Sequence, residues 1–267
     1  MSFTNALRWE LRAVAAALVA TAKARLTVVG FSGYLLLWIM LPILNLCITG
    51  LIYANRPALL AYSAVAIAAN AIVFSCIFYS GEILDSERLT GTLRALFLAP
   101  CSRFSWLLGG QLVGLLEGFA ITIITLIFAR VVFDVRLDAN LPSVVVVLAL
   151  FIILLWGFSL ILGAVGLLLK QANQLSNLIF PLVLLLGGVQ YPVSLLPDWL
   201  RLPARALPFG YGFEALAAAM LDNAPLPALL SQLVPLTGFA IVLPIVGIIT
   251  FRWLERVVRA RGELDLY

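Results

Sequence analysis

A single carboxylate, Glu117, stands in the apolar run LVGLLEGFAITII. A charged side chain at membrane depth costs ~2.5–3.5 kcal/mol on insertion scales, so it must face protein or water. There it can relay a proton, bind a cationic substrate or line a polar path. It can equally accept a hydrogen bond from a neighbouring helix. Gln111, Asn45, Asn70, Asn173, Gln174 and Asn177 are weaker candidates of the same kind, because polar side chains also tie spanning helices together. The chain has no histidine, which removes the commonest metal ligand and the commonest general base. Cys47, Cys76 and Cys101 form no CxxC pair, so neither a disulfide framework nor a metal site is indicated. No G-x-x-x-x-G-K-[ST] segment occurs, so the chain lacks the loop that cradles ATP phosphates. No catalytic residue, metal ligand or chain-bound cofactor is expected, and any ATP-driven role needs a partner.

The elements that would position Glu117 follow from composition. Of 267 residues 63% are hydrophobic and 11% charged, with a mean hydropathy of +1.11; a soluble domain carries about 25% charged residues. The apolar runs are long enough for spanning helices of about 20 residues, and the alternating pattern of a membrane β-barrel is missing. The expectation is an all-α integral membrane protein, a single transmembrane domain over 1–267. It divides into an interfacial helix at 1–29, a six-span bundle at 30–251 and a cytoplasmic tail at 252–267. The spans fall near Gly30–Ala54, Ala61–Ile83, Phe104–Val132, Ser143–Leu169, Asn173–Gln190 and Leu229–Phe251. The third is long enough to tilt or to emerge from the bilayer.

Lysine and arginine set the orientation. Twelve of them flank the spans on the side of the two termini, and Arg56, Arg130, Arg136, Arg201 and Arg205 lie on the other side. The positive-inside rule then makes both termini cytoplasmic. The N-terminal segment repeats Leu7, Leu11, Val14 and Leu18 at helical spacing with Trp9 nearby, which suits a helix lying in the membrane interface. Such a helix serves as an anchor, or packs on a cytoplasmic partner as well. Gly110, Gly114 and Gly118 recur every four residues, a spacing that brings two helices close.

The segment ERLTGTLRALFLAPCSR, Glu87 to Arg103, interrupts this apolar sequence between spans two and three. Asp85 or Ser86 can cap a helix there. Leu89, Leu93, Leu96 and Phe97 form an apolar stripe with Arg88 and Arg94 beside it. Pro100 ends the helix. Periodicity alone fits a helix resting on lipid headgroups or one docked in a groove of another protein.

Later, GGVQYPVSLLPDWLRLPARALPFGYGFEALAAAML covers Gly187 to Leu221. Its prolines forbid one continuous helix, and Asp198, Arg201, Arg205 and Glu214 argue against a lipid-exposed span. Two short helices, dipping into the outer leaflet or capping it, are expected. Phe180, Tyr191, Trp199, Phe209, Tyr211 and Phe213 gather near the outer ends of spans five and six, as a membrane-interface belt or as the outer gate for an amphipathic substrate.

Two stretches together resemble the membrane subunits of type-2 ABC exporters. The first is Glu87-Arg88, Gly91-Thr92-Leu93, Leu96, Pro100 and Ser102-Arg103; the second is Tyr191-Pro192, Leu196-Pro197, Trp199-Leu200, Pro208 and Tyr211. The resemblance runs over nearly the whole chain. It implies that Glu87, Arg88, Gly91, Thr92, Leu93, Leu96 and Phe97 belong to a coupling helix that docks on a separate ATPase subunit, which would hold ATP and Mg. It implies a transporter of two membrane subunits, a homodimer of this chain, in the plasma (inner) membrane among its lipids; no nucleic-acid partner is expected. Glu117, Tyr191, Trp199, Phe209 and Tyr211 become candidates for the substrate path or gate. Drugs, lipids, glycans and peptides all fit such a path. An ion-coupled carrier working through Glu117 and a non-transporting membrane scaffold are the rival readings.

Overall fold

The computed structural model describes residues 3–29, 38–89, 103–169 and 172–260, and all regular structure among them is helical. Helix α1 spans Phe3–Val29, α2 Met40–Ile52, α3 Pro57–Leu89, α4 Arg103–Phe133, α5 Leu141–Leu169 and α6 Ala172–Leu186. A 3₁₀ turn at Val193–Leu195 leads into α7, Asp198–Ala206, and α8, Phe209–Leu221. A second 3₁₀ turn, Leu226–Leu229, opens α9, Leu230–Ala260.

Four segments are long and apolar enough to cross a membrane: Pro57–Tyr79, Ser105–Phe133, Leu141–Gly166 and Leu226–Leu254. These are the second, third, fourth and sixth of the expected spans. The first and fifth are represented by shorter apolar helices, α2 with 13 residues and α6 with 15. Residues 30–37, where the first span was expected to begin, lie outside the described residues. The fifth stops at Leu186 rather than Gln190 for a local reason. Gly188 takes φ +75°, a left-handed conformation that glycine adopts at little cost, and the chain turns. The Tyr62 hydroxyl donates to the Gly188 carbonyl at 2.9 Å, and the Ser63 hydroxyl to the Gln190 carbonyl at 2.6 Å. The turn is thereby pinned to the first turns of α3.

Helix α3 is the axis of the bundle. Of its most apolar window 83% is buried inside the protein, against 17% for that of α9. Its 33 residues reach about 50 Å at 1.5 Å per residue, well beyond a hydrocarbon core of ~30 Å. The excess carries the helix through Asp85 and Ser86 to Leu89. Those two residues are therefore interior to α3 and cap no new helix, a correction to the expected boundary. Helix α9 likewise continues past Phe251 to Ala260, because no proline or glycine interrupts that stretch. The expected tail from 252 begins as helix.

The prolines of the late segment act as expected, dividing it into α7 and α8. Helix α8 plugs the core. Phe209, Phe213, Leu216 and Ala219 are buried, and Phe213 meets Phe151 of α5 edge-on at 5.4 Å. Gly212 allows this approach, since a Cβ there would lie 2.6 Å from the Phe151 ring.

Lipid supplies no hydrophobic drive between spanning helices, so close packing and polar ties must hold them. Glycine provides the packing at two seams. Between α3 and α4, a Cβ on Gly114 would stand 2.5 Å from the Tyr79 ring and one on Gly118 would stand 2.9 Å from the Ile72 Cα. Gly114 and Gly118 thus do what their four-residue spacing predicts. Between α5 and α9, a Cβ on Gly157 would fall 2.3 Å from the Pro244 nitrogen, and one on Gly247 would fall 2.6 Å from the Gly157 carbonyl oxygen.

Candidate functional site

Candidate residues lie at both ends of the bundle. At the end holding both termini, α3 carries Glu87 and Arg88 in its last turn. Gly91, Thr92, Leu93, Leu96 and Phe97 lie outside the described residues. What flanks them is described. Chain after the segment re-enters the bundle as α4, and α1 packs along the start of that helix. The Ser105 hydroxyl donates to the Glu10 carboxylate. A Cβ on Gly109 would lie 2.3 Å from the Val14 carbonyl oxygen and 2.6 Å from the Ala17 Cβ, and Ala17 is fully buried. Leu18 and Ala22 then join Leu107 of α4 and Phe251 and Leu254 of α9 in one cluster. The expected stripe of α1 therefore divides. Leu18 packs inward, while Leu11 is 61% exposed beside the exposed Trp9 and Val19. The Arg12 guanidinium sits 5.6 Å from the centre of the Trp9 ring, a cation–π contact. The outward face has the aromatic and basic character of an interfacial helix.

Glu117 lies midway along α4, in the seam with α3, and accepts a hydrogen bond from the Tyr79 hydroxyl. Tyr79 is buried. The neighbouring polar side chains also cross seams. Gln111 donates to the Ser159 hydroxyl between α4 and α5. Thr122 donates to the Ala68 carbonyl at 2.7 Å, and Ser176 to that of Ile77 at 3.1 Å. Asn177 bonds within α6 to the Asn173 carbonyl, and Gln174 is exposed. Asn45 accepts from Gln190 at 3.4 Å, and the buried Asn70 Oδ1 has no protein partner among the described residues.

At the opposite end, where α3, α8 and α9 begin and α4 finishes, lies a cavity of about 1020 Å³. Drug-sized ligands occupy pockets of ~300–1,000 Å³. Tyr211 lines it, together with Arg136, Arg205, Glu214 and Asp222. Burial raises the Glu214 carboxyl above its ordinary range, opposed by the Val193 backbone N–H and the Arg205 charge. The other gate candidates are dispersed. Tyr191 donates to the Leu185 carbonyl at 3.0 Å and Tyr211 to that of Arg205 at 3.0 Å, each fastening a turn. Phe209 is buried edge-on against Phe158 at 5.1 Å. Trp199 is 73% exposed on the outer face of α7 with Leu202. Arg201 anchors that short helix, donating to the Ser194 and Leu196 carbonyls at 3.0 Å each. The structure thus does not gather Glu117, Tyr191, Trp199, Phe209 and Tyr211 into one site. Among the described residues no three histidine, cysteine, aspartate or glutamate side chains come together as a metal site.

Two features escaped the sequence reading. The α5–α9 crossing rests on Gly157 and Gly247, isolated glycines without the four-residue spacing that drew attention to α4. The Tyr62–Ser63 clamp had one available signal, a polar pair at the start of an apolar span.

A multi-pass helical membrane protein is thereby defined, with glycine-tight helix pairs and α1 packed against the start of α4. Comparison with family models agrees: residues 16–221 match the ABC-2 type transporter family. The chain belongs to that family, as a membrane permease component rather than the ATPase itself. Among curated proteins no relative matches.

Proposed function

We propose that this chain is the membrane half of an ATP-driven exporter, assembled from two copies of it and two separate ATPase subunits. Family membership over 16–221 is the observation that carries the reading, and the surroundings of the segment 87–99 support it. That segment joins α3, the most buried helix, to α4, and the two helices are packed too tightly to slide independently. ATP binding on the partner draws the ATPase subunits together and pushes on the segment Glu87–Ala99. The push passes into α3 and α4, and α1, bonded to α4 through Glu10 and Ser105, moves with them. The path between the two membrane subunits then opens away from the cytoplasm, and an amphipathic or hydrophobic substrate leaves past Tyr191–Leu221. The arginine and lysine distribution supports cytoplasmic termini in an inner membrane.

The test is co-purification from native membranes with the tagged chain and with a Glu87→Lys, Gly91→Trp variant. An ATPase that accompanies the parent and is lost from an inserted variant is the expected result. Absence of any ATPase from both, under conditions that preserve a control complex, would overturn the proposal.

A further inference from the structure

We propose that the cavity at the end of the bundle away from the termini binds a zwitterionic amphiphile, a molecule with an ammonium group and a phosphate or carboxylate on an apolar tail. The charges of the wall carry the inference. Asp134 is already engaged by Arg130 at 3.1 Å. What remains is two cations, Arg136 and Arg205, and two carboxylates, Glu214 and Asp222. Among the described residues none of these four makes an ion pair with another. One cavity therefore presents two cations and two carboxylates that are not closed into ion pairs with one another. Arg136, Arg205 and Asp222 are exposed at the cavity mouth and Glu214 is half-buried, so a ligand reaches all four, and charge-assisted contacts supply the selectivity. A ligand bringing one charge of each sign meets a cation and a carboxylate and leaves the cavity neutral. An anionic or cationic ligand satisfies one side and leaves a surplus.

The remaining wall fits the rest of such a molecule. Leu60, Ala61, Phe133, Leu221 and Pro235 offer apolar surface continuous with the spans α3, α4 and α9, and Tyr62 and Tyr211 stand among them. The inference concerns binding by this chain and holds whether the ligand is a resident bilayer lipid or exported cargo.

The full-length chain, purified in a non-ionic detergent, is titrated with phosphatidylethanolamine, phosphatidylglycerol and dodecyltrimethylammonium, and occupancy is read by native mass spectrometry. Phosphatidylethanolamine is expected to be retained about tenfold better than either singly charged probe, as expected for a charge-assisted contact on each side. Arg205→Gln should shift the preference toward the cation and Glu214→Gln toward phosphatidylglycerol. Arg56→Gln, outside the cavity wall, should leave the order unchanged. An order of preference unaltered by both cavity variants, or no discrimination by the parent, would overturn the proposal. Because the two variants act in opposite directions, the test survives if one of them fails to fold. In the complex with its ATPase, occupancy that raises ATP turnover marks cargo and occupancy that does not marks a resident lipid; both support the site. Loss of the ATPase partner leaves the binding measurement standing, so failure of the exporter reading and failure of this site are separable.

Discussion

Replacing Gly109 with alanine tests how α1 is joined to the transmembrane bundle. The new Cβ would fall 2.3 Å from the Val14 carbonyl oxygen, where real Cβ atoms keep at least 3.0 Å, and 3.1 Å from the Leu18 backbone nitrogen. These are backbone atoms and cannot rotate aside, so α1 must retreat by at least about 0.7 Å. A gap of ~0.5–1 Å forfeits a quarter to a half of each dispersion contact it opens. Overpacking of this kind costs ~1–3 kcal/mol, which corresponds to a five- to 150-fold loss in the population of docked α1, about the scale of an allosteric coupling. The assay is trypsin cleavage at Arg12 and Lys23 in detergent, together with substrate-stimulated ATP turnover of the assembled transporter. Gly109→Ala should be cut faster and should couple less well. Gly238→Ala is the control, since nothing lies within 4 Å of the added carbon. If the two variants behave alike, the strapping of α1 to α4 does not transmit motion as argued.

Other perturbations have equally defined outcomes. Tyr79→Phe removes the hydroxyl that donates to the half-buried Glu117 and should cost ~1 kcal/mol, the scale of one hydrogen bond. Added to Glu117→Leu, which leaves no acceptor, it should cost much less, which a double-mutant cycle of thermal unfolding in detergent checks. Gly157→Leu drives a side chain into the backbone around Pro244; it should separate α5 from α9 and lower the unfolding midpoint by several degrees, read by static light scattering. Tyr62→Phe removes the hydrogen bond to the Gly188 carbonyl and should speed hydrogen exchange at 187–191 while sparing α5. Glu214 has a raised folded pKa, so the folded state holds its proton to higher pH than the unfolded chain does. The associated stability is fully present below the ordinary carboxylate range and is lost as pH rises through the raised value. Glu214→Gln should flatten that part of the stability–pH curve.

How much of this was legible beforehand depended on whether the information was local. Four long spans, the helical N-terminus and the proline-divided late segment follow from hydropathy and periodicity, signals carried by neighbouring residues. Gly114 and Gly118 announced a close seam because they lie on one face at fixed spacing. Gly157 and Gly247 did not, because each glycine makes sense only against the other helix. The end of α6 at Leu186 depends on Gly188 together with Tyr62 and Ser63, residues more than a hundred positions apart. The same holds for the cavity: Arg136 follows α4, Arg205 lies in α7, and Glu214 and Asp222 lie in and just after α8, and folding brings them to one wall. Glu117 was visible as an anomaly, and its donor Tyr79 was not, since a tyrosine in a span raises no alarm.

The central claim is that the segment after α3 touches a separate ATPase. The most direct measurement places a photo-crosslinking amino acid at Phe97 in the full chain and irradiates whole cells. The account predicts an adduct of this chain with a Walker-motif ATPase, lost when Gly91→Trp is added although the chain still inserts. Cross-links to lipid alone, or an ATPase adduct indifferent to Gly91→Trp, would contradict it.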